Sequence, residues 1–278
     1  MTSSRPSVVG GAAVDPSIRR SGQRLAPDGR LPSWLAPVVR RIDGSSIDEL
    51  LPRPALSAPR AGRRSAVLML FADSPAGPDL LLTARASTLR AHAGQPAFPG
   101  GKQEPGEDAV QTALREATEE VGLDASSVTP AALFPDLFLG YSGFLVSPVL
   151  AYWHTPGPVG AVDPAETAAV ARVPVADLVN PANRGRVRHS SGYIGPAFEV
   201  AGMVVWGFTA GLVEVLLDIG GWTVPWDRQR FIELPVLGQQ LPDPEAGHLG
   251  DPEDDGAPNG TPSSSGGNEA DDGTSGQV

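Results

Sequence analysis

Residues 98–123, FPGGKQEPGEDAVQTALREATEEVGL, constrain the fold more than any other stretch of the chain. Pro105-Gly106 punctuates a start, Glu107 and Asp108 suit a positive helix N-terminus, and Gly122 stands where a C-cap glycine belongs. The spacing predicts a helix over 107–121. Val110, Ala113, Leu114, Ala117 and Val121 then share a stripe about 100° wide that has to be buried. With Glu116 as the zero of angle, Glu119 lies near about −60° and Glu120 near about +40°, on a separate face. Like charges at these spacings repel on a helix. A hard divalent cation would relieve that repulsion, because Mg²⁺ and Mn²⁺ take oxygen ligands and share them with a substrate phosphate. Arg115 is spaced to reach Glu119 at i,i+4. A solvated acidic face is the ordinary explanation for an isolated EATEE, so the surroundings have to choose.

Strand patterns surround the helix. SAVLMLFA, DLLLTAR, QPAFPGG, SVTPAALF and FLVSPVLAYW are aliphatic or aromatic runs bounded by turn residues. LPSWLAPVVRRI and SSIDELL read as short helices, the second with Ser46 and Glu49 at capping-box spacing. A last helix is expected over 207–218. Strands outnumber helices without alternating strictly with them, which predicts one α+β domain over 32–240. Residues 1–31 and 241–278 are low in large apolar groups and are expected to be disordered tails, the second of them acidic.

From 241 to 278 there are nine Asp and Glu and no Lys or Arg, so −9 of the formal charge of −11 sits there. The rest of the chain is close to neutral, which argues against a nucleic-acid partner. The absence of cysteine excludes disulfides, thiolate nucleophiles and zinc–sulfur sites. MVVWGFTAGLVEVLLDI is short for a bilayer span and carries Glu214 and Asp218, so it reads as a buried strand and helix rather than a membrane segment. With no secretory h-region at the N-terminus, a cytoplasmic protein is expected. A homodimer is left open.

The order Gly101, Glu107, Arg115-Glu116-Ala117, Glu119-Glu120-Val121-Gly122-Leu123 resembles the Nudix hydrolase motif at every fixed position. Ala117 stands where a larger aliphatic residue is common. The resemblance implies a Nudix-type α/β/α sandwich with a mixed β-sheet, hydrolysing a nucleoside diphosphate linked to another moiety with Mg²⁺ or Mn²⁺. It carries over Glu116, Glu119 and Glu120 as metal ligands, one of which, with Glu119 the candidate, would instead act as general base. Arg115 joins them as a catalytic-site residue.

Upstream, LLTARASTLRAHAGQPAFPGGK resembles the signature of the coenzyme A pyrophosphatase branch, with Arg85, Leu89, Arg90, His92, Gly94, Gln95, Phe98, Pro99, Gly100 and Gly101 in register. Pro96 departs from it, since a β-branched residue is usual there; a proline suits an edge or bulge. Coenzyme A carries a pyrophosphate and a 3′-phosphate, so its pocket needs several cations. Arg85, Arg90, His92 and Lys102, the only lysine in the chain, would supply them around a double-glycine turn whose backbone can approach phosphate. Gln95, Gly100 and Gly101 complete the expected substrate-binding set. Surface solubility is the competing explanation for Arg85 and Arg90, and a structural hydrogen bond for His92. His154, His189 and His248 lack such company.

GYSGFLVSPVLAYW and VVWGFTAGLVEVLL also resemble the branch, so the likeness runs over about residues 33–220. It implies a small-molecule substrate cleaved to 4′-phosphopantetheine and adenosine 3′,5′-bisphosphate. ADP-ribose, or another nucleoside diphosphate derivative, is the alternative substrate. A non-catalytic nucleotide-binding module is the alternative class.

Overall fold

The computed structural model describes residues 18–50, 62–86, 94–140 and 142–234. Arg90, His92 and the expected tails at 1–17 and 241–278 lie outside them. The first elements in chain order are β1 (Gln23–Arg24), α1 (Ala36–Ile42), α2 (Ile47–Leu50), β2 (Arg63–Ser74) and β3 (Gly77–Arg85). Then come β4 (Pro96–Ala97), β5 (Gly100–Lys102), α3 (Ala109–Val121), β6 (Val128–Leu133), β7 (Leu137–Leu139) and β8 (Phe144–Trp153). The chain continues through β9 (Thr167–Pro174), α4 (Val175–Val179), β10 (Arg184–Arg188), β11 (Ile194–Val200), β12 (Met203–Val205) and α5 (Gly207–Ile219).

β2 organises the main sheet. It runs parallel to β8 and antiparallel to β3 and β5, which makes the sheet mixed. The hydrogen-bonded path is β1-β6-β8-β2-β3-β4, with β5, β7 and β9 branching from β2, β8 and β3. Alternate side chains of a strand face opposite ways, and β2 uses both faces. Ala66, Leu68, Leu70 and Ala72 pack with Ala109, Ala113, Ala117 and Val121 of α3. Val67, Met69 and Phe71 pack with Val38 and Val39 of α1 and Leu212 and Leu216 of α5. Helices therefore cover both faces of the sheet, and the α/β/α layering follows from the unbroken apolar run of β2. β10, β11 and β12 form a separate antiparallel sheet.

Two features differ from what composition suggested. Residues 18–31 belong to the fold: Gln23 and Arg24 pair with Leu133 and Ala132, and Ala26 and Leu31 enter the core. Arg19 reaches Asp136, its Nη1 standing 3.1 Å from Oδ1. Composition hides this because a short strand bonds through its backbone, whatever its side chains. The second feature is the 167–200 region, whose strands carry few large apolar residues and gave no strand signal. Pro96 sits on β4 at the end of the sheet path, paired with Ala84, where a missing N–H is tolerated. Among the described residues no helix is long and apolar enough to cross a membrane.

Candidate active site

The platform is α3, and its ends are set locally. The Asp108 carboxylate accepts from the amides of Val110 and Gln111 at 2.8 and 2.9 Å, and Gln111 Oε1 accepts from the Asp108 amide at 2.8 Å. This reciprocal capping box fixes the first turn. Gly122 closes the helix in the left-handed region, at φ 70°. Burying the apolar stripe on β2 leaves the glutamate face turned toward the β5 segment.

β5 lies close against that face. A Cβ at Gly101 would stand 2.4 Å from the carboxyl carbon of Glu116, and one at Gly100 would stand 2.3 Å from the Ala66 carbonyl oxygen. A side chain at 100 would collide with main chain, and one at 101 would displace the Glu116 carboxylate. The Gly100 amide donates to Glu120 Oε2 at 3.1 Å. The double glycine thus lets main chain approach two carboxylates at once.

Arg115 ties the cluster together. Its Nε donates to Glu107 Oε1 at 2.7 Å, its Nη2 to the Lys102 carbonyl at 2.9 Å, and its Nη1 to Glu119 Oε2 at 3.0 Å. Nη1 is also 3.0 Å from Glu116 Oε1. One planar fork spans the start of the helix, the β5 turn and two box carboxylates, a set that a point charge could not serve. The Arg115 guanidinium, with backbone and Thr112 hydrogen bonds, pulls the Glu107 carboxyl down to about 2. Glu116 moves the other way. Burial pushes its carboxyl up to about 7 against the pull of Arg115, and the charges of Glu120 and Glu119 add to the rise. Glu119 is the outermost of the three, its side chain 58% exposed.

The structure brings Arg115, Glu116, Glu119, Glu120, Gly100, Gly101 and the Lys102 backbone into one cluster. Arg85 and Gln95 form a neighbouring pair: the Arg85 amide donates to the Gln95 carbonyl at 3.1 Å, and the Gly94 amide to the Arg85 carbonyl at 3.0 Å. That pairing closes the base of the segment carrying Arg90 and His92. Arg85 is only 8% exposed, which removes the surface-solubility explanation for it. His189 is buried, stacked on Trp206 at a ring distance of 5.5 Å and bonded to Ser191, a structural role. The anchoring role of Glu107 toward Arg115 was not anticipated. Its place in the motif marked Glu107 without giving a role, and helix periodicity does not interpret an eight-residue spacing across a turn.

The donor chemistry fits a divalent cation. Glu116 and Glu120 offer hard oxygen ligands beside the double glycine, and an ion there would offset the burial and the neighbouring charges that raise the Glu116 carboxyl. Among the described residues no trio of His, Asp or Glu is drawn into a ready-made cage. A site with one or two protein carboxylates, the rest supplied by phosphate and water, is the usual arrangement for Mg²⁺.

The NUDIX domain profile matches residues 62–193. A Nudix hydrolase of Cronobacter sakazakii, NudL, is 34% identical over 176 residues, covering 60% of this chain and 89% of that protein. The NudL of Photorhabdus laumondii is 38% identical over 131 residues, covering 47% and 68% respectively. A solved Nudix hydrolase of M. smegmatis, RenU, aligns with 62% of this chain and 94% of its own at 22% identity and a TM-score of 0.41.

Proposed function

We propose that this chain, which belongs to the Nudix hydrolase family, cleaves the diphosphate of coenzyme A or its derivatives. The products would be a 4′-phosphopantetheine-type fragment and adenosine 3′,5′-bisphosphate. The coarser activity, hydrolysis of a nucleoside diphosphate derivative, goes with family membership.

The observation that carries the coenzyme A reading is the burial of Arg85, at 8% exposure, on the segment that runs into the Gly100–Lys102 turn. A buried cation at a position where the resemblance places substrate binding suits a substrate with a phosphate beyond the cleaved diphosphate. The non-catalytic alternative is disfavoured because every box carboxylate is present and Arg115 orients two of them.

Mg²⁺ or Mn²⁺ would be held by Glu116 and Glu120, with Glu119 at the exposed margin. When bound, such an ion would supply charge neutralisation at the diphosphate and a more acidic water. The chain's own groups do the positioning. Gly100 and Gly101 let the β5 main chain lie against Glu116 and Glu120, and Arg115 keeps Glu116 and Glu119 from turning away. Arg115 takes Oε2 of Glu119, which leaves Oε1 to accept a proton from water.

Mass spectrometry of products after incubation with coenzyme A and either metal tests the reading. The two fragments named above are expected, with slower turnover of ADP-ribose. Faster cleavage of ADP-ribose, or no cleavage of coenzyme A, would overturn the substrate assignment and leave the family assignment standing.

A further inference from the structure

We propose that the arginine face of the small sheet is a docking surface for the acidic C-terminal segment of the same chain, residues 243–255. Arg184, Arg186 and Arg188 occupy alternate positions of β10, and so share one face of the strand. Val187 points the other way, into a core with Trp206 and Ile232. Arg184 is buried between the rings of Phe198 and Trp226, with Glu214 Oε1 3.5 Å from its Nη2.

The others are outward. Arg186 and Arg188 lie over the ring of Phe231, at 5.8 and 5.2 Å, and Arg228 lies over Trp226 at 5.0 Å. Among the described residues none of these three makes an ion pair, and Phe231 is 46% exposed. Glu214 and Glu233 line the neighbouring cavities without an ion pair to these three, so three cations on two aromatic rings leave a surface suited to an anionic chain.

The occupant is set by where the described chain ends. Leu234 lines a cavity of about 450 Å³ together with Arg188 and Phe231, so the remaining chain leaves from the rim of this face. Asp243, Glu245, Asp251, Glu253, Asp254 and Asp255 follow, with no Lys or Arg among them or after them. Nine residues from Leu234 span at most about 30 Å, so Asp243 cannot stray far from the arginines. Each exposed pair is weak alone. The tether holds the acids at an effective concentration on the order of millimolar, which makes several weak pairs sufficient. The docked segment covers the aromatic rings and withholds the face from other polyanions.

The chain has no cysteine, so a nitroxide on Ala246→Cys in the full-length protein is unique. At an ionic strength of about 0.01 M, where the Debye length is ~30 Å, it should broaden the amide signals of residues 186–188 and 231 selectively. At about 1 M, where that length is ~3 Å, the signals should sharpen. Neutralising Asp243, Glu245, Asp251, Glu253, Asp254 and Asp255 to their amides should abolish the broadening without touching the fold. Arg186→Gln, Arg188→Gln and Arg228→Gln together should do the same from the other side. Absence of selective broadening at low salt, or its persistence in the neutralised chain, overturns the proposal. So does a single-stranded oligonucleotide that binds this face as tightly in the intact chain as in the neutralised one.

Discussion

A methyl group at position 101 has nowhere to go except into the Glu116 carboxylate, whose carbon would lie 2.4 Å away. The obstructed atoms are the far end of a flexible side chain, so Gly101→Ala should fold and lose function instead. We expect kcat to fall by about 100-fold or more, the scale of losing a preorganised electrostatic group, with little change in Tm. Glu120→Gln keeps an acceptor for the Gly100 amide and deletes only the charge. A loss of about 100-fold in kcat with an intact thermal transition is expected again. A near-normal rate in that variant would return the glutamates to the status of a solvated acidic face.

Glu116 also gives the protein a pH signature when metal is removed. Its folded carboxyl sits at about 7, above the ordinary 4.5. The folded state therefore holds a proton that the unfolded chain releases. The resulting stability is complete below the ordinary value and disappears as pH rises through about 7. In EDTA, urea titrations should show a loss on the order of 2 kcal/mol between about pH 5 and about pH 8. Glu116→Gln should flatten that slope. Glu107, drawn down to about 2, works in the opposite sense and only at acid pH, so it does not contribute in this window.

At the scale of elements, α3 was legible because everything that defines it is local: cap, stripe and terminal glycine lie within one stretch of chain. Asp108→Ala tests how much the cap supplies. The change should cost about 1 kcal/mol, read as a lower Tm, and leave kcat unaltered because Asp108 touches none of the box carboxylates. β10 is the opposite case. RGRVR has an alternating pattern, but with arginine where an apolar residue is usual and glycine in its interior, so nothing in it announces a strand. Its pairing comes from β11, in register from Arg184 with Phe198 to Arg188 with Ile194.

Across the whole molecule, the segment before residue 32 is anchored, beyond its strand pairing, by one buried acid. Asp136 has a side chain only 1% exposed, and accepts from the Arg19 amide at 2.8 Å and from Ser147 Oγ at 2.7 Å as well as from the Arg19 guanidinium. Arg64 stands farther off, at 4.0 Å. Arg19→Ala should cost about 2 kcal/mol by removing a charged partner from a buried carboxylate. Calorimetry of the full chain would measure it. An unchanged Tm would mean that Arg64 moves in and replaces the lost partner.

The sequence by itself determined the helix, its polarity, the carboxylate cluster and the central strands, because those rest on a period of about 3.6 residues and on unbroken apolar runs read within short windows. It also implied the family, through spacings that a single helix and its preceding turn preserve. Tertiary structure alone decided that one arginine would bind Glu107, Glu116, Glu119 and a β5 carbonyl together, since these meet only when the turn folds back on the helix. It alone buried Arg85, drew residues 18–31 into the sheet and set three arginines of β10 beside Trp226 and Phe231. Each of these depends on contacts between segments far apart in the chain. Local periodicity carries no information about such distances.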